Sequence, residues 1–129
     1  MKSDSYSSAQ KRWPTRVLKP ASYEYPLILK QCFTTAPTLF IRGNAKLLSS
    51  PNILAVVGSR SQTETNTFGL THILEPLRTT MITIVSGLAL GMDSLAHTIA
   101  LANSIPTIAV LGSSVEHGEI YPRHNEYLA

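Results

Sequence analysis

The sequence has few charged residues, a single cysteine and no long apolar segment. Charged side chains make up 15 % of the 129 residues, against roughly 25 % in an average soluble protein. Cys32 is the only cysteine, which excludes an internal disulfide and a thiolate-rich metal site. No apolar run approaches the roughly 18 residues that span a bilayer, and the N-terminus lacks the apolar stretch of a signal peptide. Because hydrophobic residues still reach 43 %, whole-chain disorder is excluded. We expect a cytoplasmic protein with no membrane partner.

Two motifs of nucleotide-binding proteins are also absent. No G-x-G-x-x-G follows the apolar run at residues 53–57, and no Walker A lysine is present. The sequence therefore predicts neither a dinucleotide cofactor nor ATP hydrolysis. His72, His117 and His124 are scattered without metal-ligand spacing, so we expect no metal and no other cofactor.

Positive charge is concentrated in the first part of the chain. Residues 1–50 hold eight Lys and Arg side chains and two acidic ones, whereas residues 51–129 hold three basic and six acidic ones. This asymmetry favours contact with a polyanion, although a solvated basic tail would have the same composition. Residues 1–20 mix Ser, Lys, Arg and proline without a period. They predict a flexible basic leader in front of a domain over residues 21–129.

Three short apolar runs dominate the rest of the chain, at residues 53–57, 81–85 and 107–111. Each is about five residues long and shows no polar alternation, which is typical of a strand buried on both faces of a parallel sheet. Two stretches of helical length separate them, at residues 65–78 and 93–103. The order is β-α-β-α-β with right-handed crossovers, so the predicted fold class is α/β.

The shorter elements and the helix faces are predicted from local patterns. A helical turn follows Pro26, a strand covers residues 38–42, and Pro76 bends or shortens the end of the first long helix. The apolar residues expected to face the sheet are, in the first helix, Phe68, Leu70, Ile73, Leu74 and Leu77, and in the second, Leu95, Ala96, Ile99, Ala100 and Leu101.

All three apolar runs end in glycine and serine. Gly58-Ser59-Arg60, Ser86-Gly87 and Gly112-Ser113 follow them, and parallel strands bring such ends to one edge of the sheet, where α/β proteins bind ligands. Glycine allows close approach, and hydroxyls and helix N-terminal amides bind phosphate oxygens. The pattern predicts a phosphate site in which Arg60 makes forked contacts. Two alternatives stay open: the glycines serve only tight strand-to-helix packing, and Arg60 pairs with Glu64.

Asp93 and His97 lie four residues apart and so share one face of the second helix. The pair is a candidate for acid/base chemistry, but no nucleophile or second carboxylate lies nearby in sequence. The interpretation we favour is structural, with Asp93 as the helix N-cap and His97 as a hydrogen-bonded side chain.

Several segments together resemble the DprA/Smf family (DNA-processing protein A). The resemblance covers residues 23–129 and rests on Leu39-Phe40-Ile41-Arg42-Gly43-Asn44, Val57-Gly58-Ser59-Arg60, Ser86-Gly87-Leu88-Ala89-Leu90-Gly91-Met92-Asp93 and Tyr121-Pro122 with Asn125. It implies a Rossmann-like three-layer fold with a mostly parallel sheet. It also implies a non-enzymatic protein of natural transformation that binds single-stranded DNA and helps load the recombinase RecA. In the family, the residues matching Arg60, Ser86, Gly87, Gly112 and Ser113 line a phosphate pocket.

The chain departs from the family pattern in three details and in length. Phe68 stands in place of a tyrosine, Ser114 replaces a glycine, and residues 116–119 form a slightly longer loop. The family's Rossmann-like domain continues past Asn125, so we expect a fold incomplete at its C-terminal end. Its first strand would then lack a neighbour, which favours dimers, aggregation or weak DNA affinity. The alternative functions are a nucleotide- or nucleoside-processing enzyme that uses Asp93 and His97, and a remnant domain without activity.

Overall fold

The computed structural model describes residues 13–129, which form two compact units. Among the described residues, the first comprises residues 13–49 together with Val115–His117, and the second comprises Ser50–Ser114 and Gly118–Ala129. The division between the units falls at residues 49 and 50, within the single domain predicted over residues 21–129.

The first unit is built on a small antiparallel pair of strands. Strand β1 (Arg16–Leu18) pairs with β2 (Leu39–Ile41), and helix α1 (Leu27–Cys32) lies between them in sequence. Tyr25 is buried, and its hydroxyl donates to the carbonyl oxygen of Pro37 at 2.7 Å. The strand predicted at residues 38–42 and the helix after Pro26 are confirmed. The leader predicted for residues 1–20 contains β1, and its residues 1–12 lie outside the described residues.

The second unit has the predicted β-α-β-α-β order. Its strands form a parallel sheet in the order β3-β4-β5, so β4 is central. The elements are β3 (Ile53–Ala55), α2 (Glu64–Leu74), β4 (Thr83–Ser86), α3 (Met92–Ala102) and β5 (Thr107–Ala109). Short 3-10 helices follow α2 at Glu75–Thr79 and end the chain at Arg123–Leu128. The α/β fold class and its parallel strands are confirmed.

Local sequence explains where α2 begins and ends. Thr63 caps the helix, since its hydroxyl oxygen accepts the amide of Asn66 at 3.2 Å. At the other end Pro76 has no amide to donate and its ring excludes a regular helical turn. The chain therefore tightens into a 3-10 helix at Glu75, which confirms the predicted shortening at Pro76.

The core lies between α2, α3 and one face of the sheet. Leu70 and Leu74 of α2 are buried, but Phe68 and Ile73 are 75 % and 62 % exposed, so their predicted burial is wrong. At 100° per residue, Phe68 points to the far side of α2 and Ile73 about 70° away from the buried stripe. The predicted burial of Leu101 is likewise wrong, because its side chain is exposed on the far side of α3. The core residues are Val56, Leu70, Leu74, Ile84, Leu95, Ala96, Ile99, Ala100 and Ile105.

Strand β3 is an edge strand with an exposed apolar face. Within the described residues it pairs with β4 alone. Alternate residues of a strand point to opposite faces, so Val56 is buried toward the helices while Ile53 and Val57 are 46 % and 83 % exposed. Within residues 13–129 the neighbour of this first parallel strand is thus β4.

Candidate functional site

The register of the sheet brings three loops to one edge. Ala55 of β3 pairs with Val85 of β4, and Val85 pairs with Ile108 of β5. All three strands therefore end together, and the loops at residues 56–63, 87–91 and 110–114 are neighbours. We call this the carboxyl edge. The structure thus brings together all seven residues predicted to bind phosphate: Gly58, Ser59, Arg60, Ser86, Gly87, Gly112 and Ser113.

The loop between β4 and α3 is fixed by two buried or half-buried side chains. The Asp93 carboxylate accepts the amides of Gly87 and Ala89 at 3.1 and 3.4 Å. From the other side, the Asn125 side-chain amide donates to the carbonyl oxygens of Leu88 and Ala89 at 2.9 and 3.1 Å. Leu88 is fully buried and has a φ of 60°, an unusual value for a leucine. These four hydrogen bonds tie the loop to α3 and to the C-terminal 3-10 helix.

The start of α3 differs from the prediction. The N-cap is Gly91, with no side-chain hydrogen bond, and not Asp93. Gly91 has a φ of 83°, and a Cβ atom there would lie 2.4 Å from the carbonyl oxygen of Ser59 and 2.5 Å from Arg60 backbone atoms. The first helical amide, that of Met92, donates to the same Ser59 oxygen at 3.0 Å. The Asp93 side chain is therefore free to turn back to the preceding loop.

Two of the three predicted glycines pack against protein atoms. A Cβ on Gly58 would lie 2.7 Å from the Met92 side chain, and one on Gly87 would lie 2.9 Å from Asp93 Oδ2. A Cβ on Gly112 would meet nothing within 4 Å. At Gly58 and Gly87 the packing alternative therefore has direct structural support. Phosphate contact by their backbones stays a prediction.

The serine hydroxyls of the carboxyl edge already make hydrogen bonds within the protein. Ser86 is buried, and its hydroxyl donates to the Val56 carbonyl oxygen at 2.6 Å, which ties β4 to β3. Ser59 Oγ accepts the amide of Ser61 and Ser113 Oγ accepts the amide of Tyr121, each at 3.0 Å. Phosphate binding by the Ser86 hydroxyl would require that buried bond to break.

Arg60 is the cation of this edge. Its side chain is exposed, and it makes no hydrogen bond or ion pair with any residue from 13 to 129. The predicted alternative, a pair with Glu64, is not formed, and Glu64 also lacks a partner within that range. Since Ser59 and Arg60 are held by Gly91, the guanidinium extends from a backbone that is fixed.

His97 lies inside the protein. It is 1 % exposed, and its Nδ1 forms a 2.7 Å hydrogen bond with the Thr107 hydroxyl. Its Nε2 is buried and has no hydrogen-bond partner among the described residues. Burial lowers the pKa of His97, while the charge of Asp93 and the backbone of Ser86 act in the opposite direction. The histidine is therefore a structural side chain that is neutral near pH 7.

Sequence reasoning missed the roles of Gly91 and Asn125. In the sequence, both residues appear only within the segments that resemble the family. Both roles depend on contacts with distant segments, since Asn125 lies 37 residues from Leu88. A glycine directly before a predicted helix is the local signal available for Gly91, and Asn125 has no signal beyond the family motif.

Two other kinds of site were sought along residues 13–129. None of the helices there has the length and apolarity needed to cross a membrane. The same residues contain no group of three or more His, Cys, Asp or Glu side chains placed to hold a metal ion.

Comparison with known proteins identifies the family. The family of DNA recombination-mediator protein A matches residues 16–129. The chain belongs to this family. It is 38 % identical over 104 residues to DNA processing protein DprA of Streptococcus pneumoniae, covering 81 % of this chain and 36 % of that protein. It is also 38 % identical over 117 residues to Protein Smf of Escherichia coli, covering 90 % of this chain and 30 % of the relative. The chain thus spans about a third of the length of these relatives.

Solved structures of the family have the same fold. DNA processing protein A from Streptococcus pneumoniae superposes with a TM-score of 0.77 at 32 % identity, over 99 % of this chain and 43 % of that one. The Helicobacter pylori protein, whose structure is described as showing a unique single-stranded DNA binding mode, superposes with a TM-score of 0.69 at 26 % identity. That match covers 90 % of this chain and 50 % of the other. The Rossmann-like fold class and the predicted family are confirmed.

Proposed function

We propose that this chain binds single-stranded DNA at the carboxyl edge and serves DNA processing and recombination. The observation that carries the proposal is Arg60, an exposed guanidinium without a partner in the described residues, on a loop whose backbone is fixed by Gly91. A guanidinium makes forked, charge-assisted hydrogen bonds with phosphate oxygens. The described DNA binding of the Helicobacter pylori relative supports the same ligand.

Main-chain groups complete the proposed phosphate contacts. The Ser86 and Ser113 hydroxyls donate to the carbonyl oxygens of Val56 and Ser114, whereas Ser59 Oγ only accepts an amide and keeps its O–H for a phosphate. The Asp93 carboxylate occupies the amides of Gly87 and Ala89. Gly112 has open space beside its Cα atom, so a phosphate can approach that backbone closely. Arg60 and the loop at Gly112 are therefore the first places where we expect DNA contact, ahead of Ser86 and Gly87.

The family also supports a hand-over of the bound strand to a RecA-type recombinase, which we include in the proposal. A pull-down of the recombinase by the chain, with and without oligonucleotide, tests this part separately. The enzymatic alternative has no support from His97, whose ring is buried and bonded to Thr107.

The test of the DNA proposal is a titration with a fluorescent dT oligonucleotide at two salt concentrations. Replacing Arg60 by alanine removes one phosphate contact, so we expect affinity to fall about tenfold and the salt slope to fall by about one unit. Arg60→Lys keeps the charge but loses the fork, and an intermediate affinity is expected.

The matched control for Arg60→Ala is Arg78→Ala. Arg78 is an exposed arginine of the 3-10 helix that follows α2 and precedes β4. It therefore lies toward the amino ends of the strands, opposite the carboxyl edge. The Arg78 variant should bind as the parent chain does. Equal losses in both variants would mean that only net charge matters, and an unchanged Arg60 variant would refute the proposed site.

A further inference from the structure

An exposed aromatic pair on α2 lies beside the carboxyl edge and has no part in the phosphate contacts. Phe68 is 75 % exposed, and its ring stacks on the His72 ring with 6.1 Å between centroids and 7° between planes. The two residues are four apart, so the helix itself sets the stacking. The separation exceeds face-to-face contact, so the rings are offset and part of the Phe68 face stays uncovered.

An open groove of about 650 Å³ adjoins this ring, lined by Gln62, Thr63, Glu64, Thr67, Phe68 and Thr71. Its threonine hydroxyls are used within the helix: Thr67 Oγ1 donates to the Thr63 carbonyl at 2.9 Å and Thr71 Oγ1 to the Thr67 carbonyl at 2.8 Å. The Gln62 amide donates to Thr67 Oγ1 at 3.1 Å. The groups left to meet a ligand are thus the Phe68 ring, the Glu64 carboxylate, the side-chain oxygen of Gln62 and the O–H of Thr63, whose oxygen only accepts a bond from the Asn66 amide.

The charge of the groove decides which part of a nucleic acid fits it. No Lys or Arg lines it, and the Glu64 carboxylate repels a phosphate. A nucleobase has the complementary properties: a flat π-face for the phenyl ring and, on each of the four bases when unpaired, an N–H group that donates to a carboxylate. The groove begins at Gln62, two residues after Arg60, so a strand whose phosphate meets Arg60 has its neighbouring base close to α2.

We propose that Phe68, supported by His72, is a stacking platform for an unpaired nucleobase of the strand whose phosphate contacts Arg60. This inference rests on the proposed function and adds to it the residue that distinguishes single-stranded DNA from a plain polyanion. A base in a duplex has both faces covered by its neighbours, so this platform selects unpaired strands.

The experiment compares two probes with the same charge. One is a fluorescent dT oligomer of about 20 nucleotides, and the other is an abasic oligomer of equal length with the same phosphates and no bases. We expect the parent chain to bind dT more tightly than the abasic strand. Phe68→Leu keeps the apolar volume but removes the aromatic face, and it should weaken dT binding by about 5- to 100-fold and leave abasic binding unchanged.

Two further variants keep the test decisive. Ile73→Ala removes a similar apolar area from the same helix and should change neither affinity, because Ile73 is exposed outside the groove. Phe68→Trp retains the platform, so dT binding should persist and should quench the tryptophan fluorescence, while the abasic strand should not. Circular dichroism melting of each variant confirms that the fold is retained.

The outcomes separate this inference from the proposed function. If dT binding depends on Arg60 but is equal in the parent chain and Phe68→Leu, the DNA site stands and the platform is refuted. If neither probe binds the parent chain, both proposals fail. A change of oligomeric state in Phe68→Leu, seen by size-exclusion chromatography without a change in DNA affinity, would make the ring a protein contact and also overturn the inference.

Discussion

At the scale of single residues, His97 is a buried imidazole whose charge the fold opposes. Its ring is 1 % exposed, and its Nδ1 shares one hydrogen bond with the Thr107 hydroxyl. Burial lowers its pKa, and Asp93 compensates only in part. The unfolded chain has no such penalty, since there His97 titrates near its ordinary value of about 6.5.

This difference predicts a loss of stability in mild acid. Because the folded-state pKa lies below the unfolded-state value, the stability from neutral His97 is complete above about pH 6.5 and declines as the pH falls toward the folded-state value. Urea unfolding at pH 7.5 and pH 5 should show a smaller free energy of unfolding in acid for the parent chain. His97→Asn, which cannot be charged, should lose less on the same change of pH.

The other histidines are the internal control of that comparison, because they are present in both proteins. An equal loss of stability in the parent chain and the variant would assign the pH effect elsewhere. An NMR titration of the His97 ring protons, with a midpoint at or above the ordinary value, would contradict the prediction directly.

The residue scale is also where the sequence was least informative. An aspartate at the start of a helix predicts an N-cap, because its carboxylate lies within reach of the first helical amides, two or three residues along the chain. In the structure Asp93 Oδ2 instead accepts the amides of Gly87 and Ala89, because Gly91 with its positive φ takes the cap position. Which of two nearby sets of amides a carboxylate meets depends on the path of the loop, and the sequence does not encode that path locally.

At the scale of elements, the loop after β3 and the loop after β4 are packed backbone against backbone. Gly91 has room only for a hydrogen, since a Cβ would lie within 2.5 Å of Ser59 and Arg60 main-chain atoms. Gly118 offers a useful contrast, because it has a similar φ of 81° but nothing within 4 Å of its missing Cβ. Strain is common to both glycines, and the close approach is specific to Gly91.

Replacement of these two glycines by alanine separates the two costs. Gly118→Ala should lose about 1–2 kcal/mol of unfolding free energy from backbone strain. Gly91→Ala should lose about 1–3 kcal/mol more, because the opposing atoms are backbone and cannot rotate away. Thermal unfolding followed by circular dichroism measures both. Equal melting temperatures in the two variants would show that the loops separate easily.

The elements that the sequence predicted well are those with a long or repeated signal. Three continuous apolar runs predicted the three parallel strands, and the stretches between them predicted α2 and α3 within a few residues of their ends. Strand β1 was missed because its three residues stand in a basic, proline-containing stretch and are stabilised by pairing with β2. The helix faces were assigned by composition, so Phe68 and Ile73 were placed in the core although helical geometry turns them outward.

At the scale of the whole molecule, β3 combines an edge that is unpaired within residues 13–129 with an exposed apolar face. The strand is short, but Ile53 and Val57 are 46 % and 83 % exposed beside that edge. An edge with apolar side chains and no charge pairs readily with another chain.

We therefore expect the isolated chain of 129 residues to self-associate. Ile53→Lys places a charge on the edge strand and should shift the chain toward monomer in size-exclusion chromatography with light scattering. Ile73→Lys adds the same charge to an exposed position of α2 and should leave the association unchanged. A parent chain that stays monomeric at high concentration would contradict the prediction.

The hydrogen bonds of Asn125 to the loop after β4 limit how this protein can be re-engineered or can diverge. Its amide grips the loop after β4 from a segment 37 residues further along the chain, while Gly91 presses that loop against Ser59 and Arg60. Three segments therefore fit one another: the loop with Ser59 and Arg60, the loop that ends at Gly91, and the segment with Asn125. A chimaera that takes only one of them from a relative would contain loops whose backbones do not fit together. Transfer of the carboxyl edge to another scaffold therefore requires all three segments to be moved together.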